Sequence, residues 1–268
     1  RWRCNMVKVM VCGAYGKMGR EVLKAVHNDT ELSLVGAVDL MSEGADAGDL
    51  IGVGKLGITV ENNLKVAISK TNPDVVVEFT NPAVVMQNIR IAMKNGVSPV
   101  VGTTGLSEAD LAEIKSMCND KVKAFIAPNF AIGAVLMMKL SQQVAKHLPH
   151  VEIIELHHDN KLDAPSGTAL RTAQLITESR ESIKQGNPKE EELIKGARGA
   201  EYDGMRIHSV RLPGYVAHQE VIFGGLGQTL SIRHDSISRE SFMPGVVLAC
   251  KKVQQLEGLV CGLENILD

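Results

Sequence analysis

Short apolar runs alternate with stretches of helical periodicity through the first half of the chain. The runs are rich in β-branched residues, as expected of strands buried on both faces, and they span residues 7–12, 34–38, 74–79, 97–101 and 124–127. The helical stretches span residues 20–27, 83–94 and 107–117. This alternation predicts an α/β fold with a doubly wound parallel sheet, in which ligands bind beyond the carboxyl ends of the strands. Residues 45–59 are glycine-rich and weakly periodic, which predicts a loop.

The second half has a different pattern. Helices are predicted over 131–147 and 169–180, with a strand at 151–158 and a polar loop at 185–204. Three further strand-like runs, separated by glycine-containing turns, look antiparallel and span residues 206–212, 216–223 and 228–234. We therefore predict a second α+β domain built on a mixed or antiparallel sheet.

The chain ends with a predicted helix at 238–255 and a short tail. A helix with such a broad apolar face is expected to return and cover the sheet of the first domain. The first domain then comprises residues 6–129 plus 239–268, and the second comprises residues 130–238. Residues 1–5, which precede Met6, take no part in this prediction.

Composition narrows the kinds of partner. The chain has 268 residues, 44% of them hydrophobic, and a formal net charge of -2. No basic tract stands out, so there is no reason to expect nucleic acid or an anionic membrane surface, and a small-molecule ligand is expected. Five cysteines lack metal-type spacing. That pattern predicts a reduced, cytoplasmic compartment, and no apolar run approaches the ~20 residues of a membrane helix.

Three glycines, Gly13, Gly16 and Gly19, follow the first predicted strand and open the first predicted helix. Glycine lets a pyrophosphate approach the free N–H groups at the start of a helix. The spacing G-x-x-G-x-x-G differs from G-x-G-x-x-G, so a tight structural turn is the alternative. Asp39 ends the second predicted strand, where an acid accepts hydrogen bonds from adenosine ribose hydroxyls, although a solvated strand end has the same pattern. Together these features predict a Rossmann-type dinucleotide-binding domain.

The residue after Asp39 bears on the choice of cofactor. It is Leu40, so no arginine stands there to hold a 2′-phosphate. We expect NADH to be preferred over NADPH. The cations Lys17 and Arg20 leave open the use of both cofactors.

Several polar or small residues stand at the ends of predicted strands. The carboxyl ends of parallel strands meet at one edge of a sheet, so these residues should line one crevice. They are Gly13, Asp39, Thr80, Gly102 and Pro128.

The segment 155–169 concentrates candidate chemistry in the second half. His157 and His158 are adjacent, and Lys161 follows in the same segment. Neighbouring strand residues point to opposite faces, so the two histidines do not chelate one metal unless the strand breaks between them. No further ligand stands at suitable spacing, and we predict no metal site.

Ser166 is well placed as the N-cap of the next predicted helix. Gly167 and Thr168 then lie in the first turn of that helix, where backbone N–H groups can hold a carboxylate, while Lys161 supplies a positive charge. An ordinary capped helix is the alternative. The single histidines His208, His218 and His234 are predicted to be structural, but Arg211 and His218 are kept as site candidates.

The chain resembles the 4-hydroxy-tetrahydrodipicolinate (dihydrodipicolinate) reductase family of lysine and diaminopimelate biosynthesis. The resemblance rests on four segments taken together: 155–169, the glycine loop, Gly102-Thr103-Thr104-Gly105 and Ala127-Pro128-Asn129-Phe130. The likeness covers nearly the whole chain. It implies hydride transfer from NADH or NADPH to a cyclic imine that carries two carboxylates. It also implies a homotetramer joined through the sheets of the second domain, which becomes the substrate-binding and oligomerisation domain.

The resemblance also implies roles for individual residues. His157 is expected to be the proton donor, and Lys161 a second donor or a partner for the substrate charge. Ser166, from the helix-start argument, and by resemblance His158, Gly167 and Thr168 are expected to hold the substrate carboxylates. The cofactor is expected to contact Gly13, Ala14, Tyr15, Gly16, Lys17, Met18, Asp39, Gly102, Thr103, Thr104, Ala127, Pro128, Asn129 and Phe130. Leu40 departs from family members that carry an arginine there.

Three other readings of the sequence stay open. Another two-domain amino-acid-pathway dehydrogenase is one, although no cysteine stands at a nucleophile position in the second half. A non-catalytic dinucleotide-sensing module is the second, and it has no need of His157 and Lys161. A metal hydrolase built on residues 157–159 is the third, and metal analysis tests it.

Overall fold

The structure is a computed structural model that describes residues 6–267. The predictions that concern residues 1–5 and 268 therefore lie outside the described residues. The chain divides into two compact units, one that runs to Phe130 and resumes at Phe242, and another that comprises Ala131–Ser241. These divisions fall within a few residues of the boundaries that we predict after residues 129 and 238.

Strands and helices follow each other as predicted for most of the chain. The strands are β1 (Val7–Cys12), β2 (Leu32–Val38), β3 (Val60–Glu61), β4 (Val75–Glu78), β5 (Ser98–Val101), β6 (Ala124–Ile126), β7 (His150–His157), β8 (Ala200–Tyr202), β9 (Met205–Arg211), β10 (Ala217–Gly225), β11 (Gln228–Ser236) and β12 (Leu259–Cys261). The α-helices are α1 (Lys17–Asn28), α2 (Ala47–Ile51), α3 (Leu64–Thr71), α4 (Val85–Lys94), α5 (Glu108–Met117), α6 (Ile132–Ala145), α7 (Gly167–Thr177) and α8 (Met243–Lys252).

The first unit is built on a seven-stranded sheet with the order β12-β6-β5-β4-β1-β2-β3. Every neighbouring pair in it is parallel. Val9, Met10 and Val11 of β1 are fully buried, which explains their apolar run. The predicted doubly wound parallel sheet is confirmed.

Some short elements of the first unit are not predicted from the sequence. The predicted loop 45–59 contains α2, which Asp46 caps by accepting a hydrogen bond from the Gly48 N–H. Strand β3 has only two residues, and α3 starts at the N-cap Asn63. The predicted tail supplies β12, which pairs with β6. Such short elements carry too little periodicity to be predicted and are held by capping and strand pairing.

Helix α8 belongs to the first unit, as expected of a returning helix. A 3₁₀ turn at Arg239–Phe242 leads into it, and it packs against α1, β1 and β5. Gly245 allows the close approach of the helix to the chain at Phe130, because a Cβ at this position would overlap the Phe130 carbonyl oxygen. The prediction that this helix covers the first sheet is confirmed.

The second unit is built on a five-stranded sheet with the order β11-β10-β7-β9-β8. β10 is antiparallel to both β7 and β11. The three late strands alternate in direction, as expected, but β9 does not pair with β10: it lies on the other side of β7 and runs parallel to it. The connection from β7 to β9 passes through α7, and a crossover of this kind joins parallel strands.

One face of this mixed sheet forms the core of the second unit. Val151, Ile153, Val221 and Phe223 pack there with residues of α6 and α7. Residues alternate between the two faces of a strand, so Glu155 lies on this core face and its neighbours Ile154 and Leu156 lie on the other. No helix within residues 6–267 is long and apolar enough to cross a membrane.

Candidate active site

The glycine loop of the first unit is tightly packed. Gly13 has a φ of +80°, and a Cβ there would overlap the carbonyl oxygen of Phe79. A Cβ on Gly19 would overlap the carbonyl oxygen of Gly13. Both positions therefore require glycine, one for its backbone conformation and both for close approach.

The start of α1 has the properties of an anion site. Gly16 is the N-cap, and within the described chain no side chain caps this end and no acidic residue lies in the first turn. The helix begins at Lys17, a turn earlier than predicted, so Lys17 and Met18 offer the first N–H groups of the helix. These groups have no partner within a helix and attract an anion.

Asp39 is fixed beside the glycine loop. Its Oδ2 accepts a hydrogen bond of 2.9 Å from the Tyr15 N–H, and its Oδ1 accepts one of 2.8 Å from the Met41 N–H. A carboxylate oxygen can accept more than one hydrogen bond, so both oxygens keep capacity for ribose hydroxyls. Leu40, the next residue, is 78% exposed.

A cavity of about 530 Å³ opens at this edge of the sheet. Gly13, Gly16, Asp39 and Thr80 all contribute to its wall. Residues that the sequence analysis did not single out complete much of the lining: Met41, Asn62, Asn63, Gln87 and Asn88. Asn62 and Asn63 follow β3, so their place in the cavity wall could not be recognised before that strand was known.

Two members of the predicted crevice lie elsewhere on the sheet. Gly102 and Pro128 follow β5 and β6 and are not part of the cavity wall. The cavity lies over the ends of β1, β2 and β4, and β5 and β6 are further along the sheet. Thr103 still connects to the site, because its Oγ1 accepts a hydrogen bond of 2.8 Å from the Thr80 N–H.

A buried carboxyl group lies beneath this edge of the sheet. Glu78 is almost fully buried, and its carboxyl group accepts hydrogen bonds from the Thr80 hydroxyl and the Asn88 amide. Burial raises the pKa of Glu78, and these hydrogen bonds only partly oppose the shift. Glu78 thereby ties the Thr80 segment to α4.

The second unit places a histidine against a buried carboxylate. The Glu155 side chain is 0% exposed, and its Oε2 hydrogen-bonds the His157 Nδ1. Both residues lie on β7 and on the same face of the sheet. The His157 side chain is 14% exposed, and its Nε2 has no hydrogen-bond partner among residues 6–267.

Arg211 holds the same carboxylate from the neighbouring strand β9. Its Nη1 and Nη2 donate to the two Glu155 oxygens at 2.8 and 2.7 Å. Burial by itself would raise the pKa of Glu155, but hydrogen bonds from His157, Arg211 and Ser209 outweigh it and lower the pKa to about 2. Glu155 is therefore a carboxylate at neutral pH.

The loop after β7 connects this cluster to the start of α7. Lys161 Nζ lies 2.6 Å from Asp163 Oδ1, and the Asp163 carbonyl accepts from Arg211 at 2.7 Å. Ser166 is the N-cap, its Oγ accepting from the Ala169 N–H at 3.2 Å. The Ser166 N–H in turn donates to Glu155 at 3.3 Å.

Gly167 is the first residue of α7, two positions earlier than predicted, and a Cβ there would meet nothing within 4 Å. The helix therefore presents an open first turn. Strand β7 ends at His157, so the alternation argument for opposite faces does not extend to His158. Within residues 6–267, no three His, Cys, Asp or Glu side chains are grouped so that they could hold a metal ion.

Two models of a known protein family match the chain. The model described as dihydrodipicolinate reductase, N-terminus, covers residues 7–130, and the one described as dihydrodipicolinate reductase, C-terminus, covers residues 133–267. The chain belongs to the dihydrodipicolinate reductase family. This membership makes it an oxidoreductase with a nicotinamide dinucleotide as its cofactor.

Relatives and solved structures agree with the family. The 4-hydroxy-tetrahydrodipicolinate reductase of Desulfitobacterium hafniense is 56% identical over 98% of this chain and 99% of its own length. That of Halalkalibacterium halodurans is 54% identical over 98% of this chain and 100% of its own length. The structure of dipicolinate-bound dihydrodipicolinate reductase from Paenisporosarcina sp. TG-14 matches with a TM-score of 0.88 and 46% identity, over 98% of this chain and 100% of that one.

Family membership does not assign a role to each residue, so the roles are inferred from the contacts that each side chain makes. Of the two site candidates on the late strands, Arg211 contacts Glu155 directly, whereas His218 lies on the opposite face of the sheet. His218 is held there by Asp235 at 2.6 Å and by the Val216 N–H at 3.2 Å. Glu155 was not predicted as a site residue. The alternation of residues in β7 shows only that its side chain faces inward, as any buried strand residue does.

Proposed function

We propose that the chain reduces 4-hydroxy-tetrahydrodipicolinate to tetrahydrodipicolinate in lysine and diaminopimelate biosynthesis. The observation that carries the proposal is the half-buried His157, held by Glu155 in the same segment as Lys161 and the α7 N-terminus, in a member of the reductase family. These groups suit a substrate that carries two carboxylates and needs a proton. The dipicolinate bound by the Paenisporosarcina relative supports this substrate class.

The first unit is proposed to be the dinucleotide-binding domain. The uncapped α1 start, the glycine contacts that exclude a Cβ and the free lone pairs of Asp39 fit a pyrophosphate and a ribose. A bound nicotinamide supplies the hydride. The proposed contacts are those predicted from the sequence, with the cavity wall formed by Met41, Asn62, Asn63, Gln87 and Asn88 added to them.

The second unit is proposed to bind the substrate and to give it a proton. The N–H groups at Gly167 and Thr168 bind a carboxylate at the start of α7, and Lys161 and His158 bind the remaining negative charge. His157 donates the proton that balances hydride addition, through its Nε2, because its Nδ1 is engaged by Glu155. In this scheme Lys161 binds the negative charge of the substrate, and it stays a candidate for a second proton donor.

NADH is proposed to be preferred over NADPH. No cation follows Asp39, and the Arg20 guanidinium lies 4.5 Å from the centroid of the Tyr15 ring while its Nε donates to the Tyr15 carbonyl at 3.1 Å. Arg20 is therefore already engaged, which leaves the exposed Lys17 as the other candidate for a 2′-phosphate.

A homotetramer and a cytoplasmic location complete the proposal. The face of the second sheet opposite its core carries Ile154, Leu156 and Ile222, which are outside the core cluster and only partly buried, and which suit contact with another copy. The free cysteines at 12, 118, 250 and 261 agree with a reducing compartment. Light scattering coupled to size-exclusion chromatography measures the assembly state.

The proposed function is tested by oxidation of NADH and of NADPH in a coupled assay. A dihydrodipicolinate synthase generates the substrate from pyruvate and aspartate semialdehyde. We expect turnover with both cofactors and a higher kcat/KM with NADH. Protein that binds NADH without turnover of the substrate would contradict the proposal and favour the dinucleotide-sensing alternative.

A further inference from the structure

Glu155 connects the parts of the candidate substrate site. Its buried carboxylate hydrogen-bonds the His157 ring, the Ser166 N–H at the start of α7 and both terminal nitrogens of Arg211. A buried charge with one partner is costly, whereas a bidentate arginine and further donors make a carboxylate stable in this position. The arrangement fixes Glu155 in one orientation, with one oxygen directed at the imidazole.

We propose that Glu155 is a positioning residue that fixes the tautomer of His157, and that Arg211 holds Glu155 for this task. The Nδ1–H donates to Glu155, so Nε2 is the nitrogen that exchanges a proton with the substrate. The proposal deepens the proposed function and rests on the role of His157 as proton donor.

The proton balance follows from this geometry. In the protonated imidazole both nitrogens carry hydrogen, and Glu155 accepts the hydrogen bond from Nδ1. When the Nε2–H bond breaks, its proton goes to the reduced substrate and the imidazole becomes neutral. Nδ1 keeps its hydrogen and Glu155 stays ionised throughout, so the carboxylate stabilises the charged donor without taking the proton itself.

The charged groups around His157 come from several elements. Glu155 lies on β7 and Arg211 on β9, while His158, Lys161 and Asp163 lie in the loop that follows β7. The β10 residue paired with His157 is the uncharged Ala217.

β7 supplies a matched control. Glu152 also accepts from an arginine and a histidine, Arg198 at 2.6 Å and His208 at 2.8 Å. It lies on the other face of the sheet from Glu155. A glutamate-to-glutamine change at Glu152 therefore removes a similar ion pair, but one that does not contact His157. Glu155→Gln and Glu152→Gln therefore separate the effect on His157 from the general loss of a charged pair.

The experiment combines kinetics with NMR on the full-length protein. We expect Glu155→Gln to lower kcat by at least ~10-fold, to change the KM for the dicarboxylate by less than ~3-fold, and to change the pH profile of kcat. Glu152→Gln is expected to keep the wild-type pH profile. In the wild type, ¹⁵N shifts of the neutral His157 ring are expected to show Nδ1 protonated and Nε2 unprotonated.

Three results would overturn the proposal. They are a wild-type His157 that carries its proton on Nε2, a Glu155→Gln enzyme with wild-type kcat and pH profile, and a slow Glu155→Gln enzyme whose pH profile has not moved. If Glu155→Gln does not fold, the wild-type NMR measurement still decides. Absence of wild-type turnover contradicts the proposed function instead, and the tautomer is read independently of it.

Discussion

Lys161 is paired with Asp163 through an Nζ to Oδ1 distance of 2.6 Å, and the Lys161 side chain is 21% exposed while that of Asp163 is 60% exposed. An ion pair this open to water contributes little to stability, so the lysine can exchange its partner for a substrate carboxylate. We expect Lys161→Met to raise the KM for the dicarboxylate by at least ~10-fold and to lower kcat, since one charged contact is worth about 1.5–3 kcal/mol. Steady-state kinetics measure both.

Asp163→Asn is the matched variant for this pair. It removes the competing carboxylate and leaves the lysine, so we expect the KM to change by less than ~5-fold, the range of an exposed pair. A Lys161→Met enzyme with the wild-type KM would show that the lysine does not bind the substrate.

Gly167→Ala tests whether the α7 start binds a carboxylate. A Cβ at Gly167 meets nothing within 4 Å in the protein, and alanine suits a helix better than glycine, so we expect an unchanged or slightly higher Tm. A substrate carboxylate that approaches the N–H groups here would meet the new methyl group, so the KM should rise while the KM for NADH stays the same. Thermal unfolding and steady-state kinetics measure these quantities.

Gly224→Ala provides the comparison for that variant. Its Cβ would meet only the His150 Cβ at 3.9 Å, an ordinary contact in the same unit but on the sheet rather than on α7. We expect wild-type kinetics from it. An unchanged dicarboxylate KM in Gly167→Ala would place the substrate carboxylates elsewhere.

Leu40→Arg tests the basis of the cofactor preference. Leu40 is 78% exposed and lies beside Asp39, so the change places a cation at the proposed ribose position without disturbing the core. Arginine binds a phosphate in a bidentate manner, and we expect the ratio of kcat/KM for NADPH to that for NADH to rise by at least ~10-fold. Leu40→Gln, of similar length but neutral, is the control. An equal rise in the control would mean that charge at this position does not select the cofactor.

Long elements and strand ends can be predicted from this sequence more accurately than the pairing of its strands. Asp39, Gly13 and Thr80 lie together on one cavity wall, as expected, because a buried parallel strand is visible as an apolar run and the residues at its carboxyl end can be read from the sequence. Glu152 and Glu155 look equivalent in the sequence of β7. Their spacing shows that they lie on opposite faces, but only the pairing of β7 with β9 brings Arg211 to Glu155. β7 and β9 are separated in the chain by α7 and the polar loop at 185–204, so local periodicity holds no information about their pairing.

His157→Gln tests the proton donor itself. Glutamine keeps a polar side chain at the site but has no group that titrates near neutral pH. We expect kcat to fall by ~10²–10⁴-fold and the KM for the dicarboxylate to change much less, because a general acid acts mainly in the transition state. His218→Gln, on the opposite face of the sheet, is the control and is expected to retain activity. Near-normal turnover of His157→Gln would assign the proton to another group, with Lys161 the first to examine.

The pKa of Glu155 predicts how stability depends on acid. Burial alone would raise it, but hydrogen bonds from His157, Arg211 and Ser209 lower it from 4.5 to about 2. A carboxylate with a depressed folded-state pKa stabilises the protein above its unfolded pKa, and this contribution is lost as the pH falls from about 4.5 through about 2. The difference corresponds to a contribution on the order of 3 kcal/mol.

We therefore expect the free energy of unfolding of the wild type to exceed that of Glu155→Gln at about pH 5, and this difference to shrink steadily as the pH falls below about 5. Urea unfolding followed by circular dichroism, at one protein concentration and several pH values, measures it. Glu152→Gln should show a smaller change, since Glu152 is about one-third exposed and its ion pairs are partly screened by solvent. If the difference in the free energy of unfolding between the wild type and Glu155→Gln does not vary with pH, the hydrogen-bond partners of Glu155 do not stabilise its charged form.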